Sequence, residues 1–291
     1  MTQSAPFLNT PTPSKADVAR IAAILHEAAG IVIAPGKQSM VQSRLAKRLR
    51  ALGLTDFASY LALVTSDRGA EERRRMVSAL TTNVTHFFRE AHHFETLRTK
   101  VLPPLLQHAR ARQRVRLWSA GCSSGQEAYS IAMTIADLAG PDLDRLDLKI
   151  LATDIDGDMV ARGTAALYDA ASIEGVPDAM RQRFLTPEAG GFRVVPALRA
   201  MVSFRELNLH DRWPMKGCFD VIFCRNVVIY FDAPTQEKLW ARFETALTPG
   251  GWLFVGHSER VPLRANGALR TAGITTYRRD EIPQNGDPTW H

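Results

Sequence analysis

An apolar strand that runs into a small-residue loop and then a helix, RVRLWSAGCSSGQEAYSIAMTI at 114–135, is followed by a second strand ending in acid, LKILATDID at 148–156. This order confines the chain to an α/β sheet with a ligand crevice at the carboxyl ends of its strands. Gly121 and Gly125 let backbone approach a ligand, and Ser123 and Ser124 supply hydroxyls. Asp154, twenty-nine residues after Gly125, can accept both hydroxyls of a ribose. The loop lacks the G-x-G-x-x-G spacing of a dinucleotide site and the GK[ST] of a phosphate loop, and Glu127 at the helix start argues further against phosphate. A cationic ligand without phosphate fits better, and S-adenosylmethionine carries a sulfonium and an ammonium.

The alternation continues through helices 126–139 and 157–166, strand 219–224, helix 233–247, strand 251–257 and a last strand near 272–279. It predicts a largely parallel sheet covered on both faces, with GGWLFVGHS and ITTYRR as an antiparallel addition at one side. Between about 175 and 205 the alternation breaks down. There FRVVP and MVSFRE, around Gly190 and Gly191, predict a small inserted antiparallel β-subdomain.

Upstream the chain reads as helical. A helix starts at a Ser14 cap and stops at Gly30; a second runs from about Lys37 to Leu52; shorter ones lie around 55–66 and 70–82, and a connecting helix near 90–110. The expected domains are a disordered lead at 1–14, an all-helical domain at 15–85, a linker helix at 86–113, the α/β domain at 114–280 and a flexible tail at 281–291.

Charge is divided unevenly between these parts. Residues 1–113 hold sixteen Lys and Arg against eight Asp and Glu, whereas the remainder holds twenty against twenty-two. The helical part is therefore expected to meet an acidic partner. In the second helix Lys37, Val41, Arg44 and Arg48 share one stripe, with Lys47 and Arg50 nearby, and no acid occurs between 37 and 52. That basic side reads as a docking surface through Lys37, Arg44, Lys47 and Arg48. EERRR at 71–75 reads instead as charges that satisfy one another along a helix.

Six segments in register, LTTNVTHFFREAHHF, WSAGCSSGQEAYSIA, ATDID, Asn208-Leu209, FCRNVVIYF and TPGGWLFVGHSE, closely resemble the chemotaxis receptor glutamate methyltransferases, the CheR family. The resemblance runs from about residue 15 to 279. It implies a Rossmann-like S-adenosylmethionine-dependent methyltransferase sheet that forms glutamate methyl esters on the cytoplasmic domain of methyl-accepting chemoreceptors, with S-adenosylhomocysteine as product. It assigns Asn83, Thr85, Arg89, Gly121, Glu127, Asp154, Asn208, Leu209, Asn226 and Val227 to the cofactor, and Arg89 and Tyr230 to the methyl-transfer site. QEAYS departs from the more usual EEPYS of the family but keeps Glu127. Family members that grip a receptor's C-terminal peptide carry a longer loop than FLTPEAGGFRV, so no such dependence is expected here.

Other classes fit less well. A nucleic-acid methyltransferase suits the pI of about 9.5, but no NPPY-type segment is present to hold a flipped base. A cofactor-binding scaffold without catalysis is a third reading, opposed by the retention of Asn83, Arg89, Glu127, Asp154 and Tyr230. Cys122, Cys218 and Cys224 have no metal-ligand spacing, and no metal is expected. The first residues lack a signal sequence, and no apolar run approaches a membrane span, so a monomer in the cytoplasm is expected, without membrane insertion or nucleic acid.

Overall fold

The computed structural model describes residues 11–265 and 267–281; positions 1–10 of the expected lead and 282–291 of the expected tail lie outside them. Two compact units result, one of Met1–Thr82 with Tyr230–Asp232, the other of Asn83–Ile229 with Ala233–His291.

In the helical unit, α1 (Lys15–Ala29) begins with a reciprocal capping box between Ser14 and Asp17 and ends at Gly30, whose φ of 70° is the left-handed turn that glycine allows. Helices α2 (Gln38–Ala51), α3 (Phe57–Thr65) and α4 (Ala70–Leu80) complete it. Ile21, Leu25, Val41, Leu45, Leu49 and Met76 form its dry centre. The structure corrects the reading of Arg44 and Arg48 as open basic surface. Arg48 forks onto Glu72 of α4, which also accepts from the buried Tyr60 hydroxyl at 3.0 Å. Arg44 donates to the carbonyls of Leu80 and Thr81 at the end of α4, where a helix leaves acceptors unfilled. The acid that neutralises the stripe comes from another helix. Lys37, Lys47 and Arg50 remain exposed.

The second unit is built on a seven-stranded sheet in the order β6-β2-β1-β7-β8-β10-β9. Strands β1 (Val115–Ala120), β2 (Leu148–Asp154), β6 (Val202–Glu206), β7 (Phe219–Cys224) and β8 (Leu247–Val255) run parallel; β10 (Thr276–Arg279) and β9 (Leu269–Gly273) add antiparallel at one side. Helices α7 (Gln126–Ala139), α8 (Gly157–Ala165) and α11 (Ala233–Ala246) provide the crossovers. The order reverses between β1 and β7, and this switch point opens the crevice. The expected linker is α5 (Ala91–Thr96), one π turn and α6 (Leu102–Arg110), and its Leu97, Val101 and Leu106 belong to the core of this unit.

A separate antiparallel sheet, ordered β3-β5-β4, contains β3 (Leu167–Tyr168), β4 (Leu185–Glu188) and β5 (Gly191–Val194), with α9 (Asp178–Phe184) and α10 (Pro196–Met201) alongside. MVSFRE is not part of it. That run is β6, paired from Ile150↔Val202 to Asp154↔Glu206. As the edge of the large sheet it buries Val202 and Phe204 and exposes Ser203 and Arg205, an alternation that resembles an antiparallel strand. On β5, Arg193 forks onto Glu188 of β4, so its charge is already met.

His93 on α5 is fully buried, with Nε2 2.8 Å from Thr275 Oγ1 and its ring edge-on to Phe254. Burial, then the nearby charge of Arg225, lowers its pKa to about 3. An unfolded histidine binds a proton near pH 6.5 and the folded one does not, so this stability is full above that pH and is lost as pH falls toward 3. Urea unfolding at pH 7.5 and 5.0 should show wild type losing more stability than His93→Gln, by up to about 1.4 kcal/mol per pH unit below 6.5. Equal losses would assign the acid sensitivity to other groups.

Candidate cofactor site at the carboxyl ends of the strands

The loop between β1 and α7 is folded against the tip of β2. Gly121 and Cys122 both donate to the Thr153 carbonyl, at 2.8 and 2.9 Å. Ser123 then turns into the left-handed region, its N–H reaching Asp154 Oδ2 at 2.7 Å and its hydroxyl the Asn83 carbonyl at 2.9 Å. Asn83 in turn donates its amide to Asp156 at 2.7 Å. The two glycines are required by protein neighbours as well as by any ligand. A Cβ on Gly121 would stand 2.3 Å from Val227 Cγ2, and one on Gly125 would meet the Tyr168 hydroxyl, Gly163 and the Phe204 ring within 3.0 Å.

Glu259 and Asp154 are buried at these strand ends and Glu127 is largely enclosed, and the three carboxylates differ in how far their acceptor positions are filled. Glu259, after β8, accepts from five backbone N–H groups: Val227, Val228 and Ile229 on Oε1, Asn226 and Gly256 on Oε2, at 2.6–3.3 Å. It is saturated and shapes the loop after β7, where Asn226 takes a φ of 58°. Asp154 accepts on one oxygen from Ser123 and on the other from Asp156, at 3.0 Å. Glu127 accepts from the Ser119 hydroxyl at 2.6 Å and from Arg225 Nη1 at 3.1 Å. Burial raises the pKa of both, opposed by those N–H donors at Asp154 and mainly by Arg225 at Glu127. A carboxylate offers about four acceptor positions, so both retain capacity for a ligand's hydroxyl or ammonium.

Arg225, at the end of β7, is 2% exposed and lies between Glu127 and Glu90, whose Oε2 is 3.2 Å away. Burial would raise the Glu90 pKa, but Arg225 and the His257 contact outweigh it and hold it at about 2. The guanidinium also donates to the Arg89 carbonyl. Glu90, His92 and His93 bring possible metal-ligating atoms within 4.8 Å of one another, a grouping not seen in the sequence; the Glu90 carboxylate there is already paired with Arg225 and His257.

The remaining expected site residues are placed as follows. The Leu207 N–H donates to the Asp154 carbonyl, so Asn208 and Leu209 leave β6 beside the acid. Asn208 caps the turn through the His210 N–H, and Arg242 of α11 holds the Leu209 carbonyl at 2.6 Å while stacking 4.0 Å from the Trp213 ring. Thr85 is half-buried between Asn83 and Phe87 in the chain. Arg89 is half-buried, and its guanidinium donates to the Val84 carbonyl at 3.0 Å. Tyr230 is half-buried and belongs with the helical unit, where its carbonyl accepts from the Val32 N–H at 2.8 Å. Sequence reasoning gave no role to Glu90, Arg225, Arg242 or Glu259. The only trace of them was their presence inside the quoted runs HFFRE, FCRN and FVGHSE, or on the last helix.

Two family models cover the chain: the CheR methyltransferase all-alpha domain over residues 16–81 and the CheR methyltransferase SAM-binding domain over 83–278. The probable chemotaxis protein methyltransferase of Rhizobium etli is 51% identical over 88% of this chain and 96% of its own length. The chemotaxis protein methyltransferase of Escherichia coli is 43% identical over 84% and 85%. Among solved structures, an S-adenosylmethionine-dependent methyltransferase from Mesorhizobium loti aligns over 55% of this chain and 54% of that one, at 17% identity and a TM-score of 0.30. PKMT2 from Rickettsia typhi in complex with AdoHcy aligns over 60% and 26%, at 18% identity and a TM-score of 0.36. The glycine loop, Asp154 and helix-borne Glu127 thus stand inside a matched SAM-binding domain, the cofactor is S-adenosylmethionine, and the chain belongs to the CheR methyltransferase family.

Proposed function

We propose that this enzyme methylates glutamate side chains on the cytoplasmic domain of methyl-accepting chemoreceptors, forming methyl esters. The observation that carries the cofactor half is the pair of incompletely filled carboxylates, the buried Asp154 and the largely enclosed Glu127, at the switch point of the sheet. The names of the relatives support the chemotaxis half. When bound, S-adenosylmethionine supplies a methyl group on a positively charged sulfur.

In this reading Asp154 accepts the ribose hydroxyls, Glu127 the ammonium, and the 208–209 segment borders the adenine. A glutamate side chain near pKa 4.3 is ionised at neutral pH, so its oxygen attacks without a general base. The protein's contribution is then to exclude water and to hold that oxygen in line with the methyl carbon and the departing sulfur. Arg89 serves as the carboxylate anchor. Its present acceptor, the Val84 carbonyl, is a neutral group that a charged carboxylate outcompetes. Incubation with labelled S-adenosylmethionine and receptor cytoplasmic domain, then mild alkali, should release volatile methanol. Label stable to alkali, or label on nucleic acid instead, would remove the ester reading.

Asp154→Asn should weaken S-adenosylhomocysteine binding roughly ten- to a hundredfold, because a charged acceptor for the ribose is worth roughly 1.5–3 kcal/mol. Calorimetry showing unchanged affinity in the folded variant would exclude Asp154 from the site.

Receptor docking is assigned to the basic helical unit, with Lys37 as the exposed member of the stripe and the exposed Lys47 and Arg50 nearby. Lys37→Glu, Lys47→Glu and Arg50→Glu together should slow receptor methylation while leaving cofactor affinity intact. Salt should slow the wild type as well, since exposed charges are screened beyond about 10 Å at 0.1 M. Full activity in the reversed variant would dispose of this docking surface.

A further inference from the structure

Arg89 stands between two residues in the left-handed region, Phe88 with φ 53° and Glu90 with φ 59°. Bulky side chains rarely adopt that backbone, and such a turn persists only where its surroundings over-determine it. Three contacts do so here. The Phe88 N–H donates to Ser130 Oγ at 2.9 Å, the Arg89 carbonyl accepts from Arg225, and the Glu90 carboxylate lies against Arg225 on one oxygen and His257 Nδ1 on the other. The same guanidinium reaches Glu127. One buried cation thus touches the acid on the cofactor side and the turn that carries the proposed substrate anchor.

We propose that Arg225 is a positioning residue that couples the two halves of the site: with Glu90 it sets the turn that aims Arg89, and it holds the Glu127 carboxylate in place with acceptor capacity left for an ammonium. This rests on the reading of Glu127 and Arg89 given above. The charge count suits the role. One guanidinium between two carboxylates leaves the cluster with a single negative charge, which one ammonium cancels. The groups facing Glu127 are Ser119 from β1, Arg225 from β7, Glu90 from the turn, and the buried thiols of Cys122 and Cys224, which burial keeps protonated. Among these Arg225 is the cation, and it opposes the upward push of burial on Glu127. A buried pair kept only for stability is often replaceable by apolar residues. This one is placed where losing it would push the pKa of a ligand-binding acid further up.

The test uses the full chain with Arg225→Lys and Glu90→Gln. Lysine keeps the charge but cannot fork to Glu127, Glu90 and the Arg89 carbonyl together. S-adenosylhomocysteine affinity, measured by calorimetry from pH 6 to 8.5, should be nearly flat in wild type. In Arg225→Lys it should fall, more at the acid end of that range than at the alkaline end, because burial pushes the Glu127 pKa up and a lysine without the fork opposes that push less. Glu90→Gln keeps the Arg225–Glu127 contact and loosens the turn, so turnover on receptor domain should fall at least tenfold with cofactor affinity within twofold. PH-independent affinity in Arg225→Lys, or parallel losses of affinity and turnover in Glu90→Gln, would overturn the coupling. Glu127→Gln separates the two readings. If it leaves affinity unchanged, the ammonium assignment itself fails; if it weakens binding while Arg225→Lys does not, the positioning role alone fails.

Discussion

A carboxylate taken out of water must recover about four hydrogen-bond positions, and how completely it does so divides the polar groups of this fold into framework and site. Glu259 marks the framework end. Its five N–H donors draw residues 226–229 and Gly256 around one side chain, tying the end of β7 to the end of β8. The left-handed Asn226 and the contact of Val227 with Gly121 depend on that gathering. A hydrogen bond to a charged group contributes roughly 1.5–3 kcal/mol, so this arrangement outweighs the strain of a non-glycine left-handed residue. Asp154 and Glu127 mark the other end. Asp154 is buried like Glu259 and Glu127 is largely enclosed, yet neither is fully satisfied, a state that is costly unless a ligand completes it.

The helical unit obeys the same rule with its cations. Arg48 is largely buried and carries a buried partner, Glu72, which is braced by Tyr60; Arg44 fills helix-end carbonyls. Both side chains support the packing of α2 on α4. The cations left for an acidic partner are those the packing does not use, Lys37, Lys47 and Arg50 among them. A positive excess read from composition is therefore an upper bound on the charge a surface presents.

The parts of the fold legible in the sequence are those determined by short-range pattern. Ser14 and Asp17 announce a capping box three residues apart, and the apolar run of β1 into Gly121 and Gly125 announces a strand, turn and helix. Asp154 was legible because the end of a strand is a defined place in this architecture. Contacts between residues far apart in the chain were not legible. Arg48 and Glu72 are 24 residues apart and Asn226 and Glu259 are 33 apart, and no periodicity joins such pairs. MVSFRE was misread for a related reason: an edge strand of a parallel sheet, open on one face, has the alternation of an antiparallel one.

The cluster around Arg225 also accounts for the kind of ligand the crevice accepts. In a phosphate loop the helix N-terminus presents unpaired N–H groups and a lysine, and the ligand brings the negative charge. Here the start of α7 places Glu127 in the crevice, Asp154 stands at the neighbouring strand tip, and the buried Arg225 is already occupied by Glu127 and Glu90. Asp154 further draws the Ser123 N–H onto itself, so that a donor a phosphate would use is filled by protein. The crevice therefore presents carboxylate acceptors where a phosphate loop presents donors. That composition disfavours the diphosphate of a dinucleotide and suits the ribose hydroxyls and the ammonium of S-adenosylmethionine.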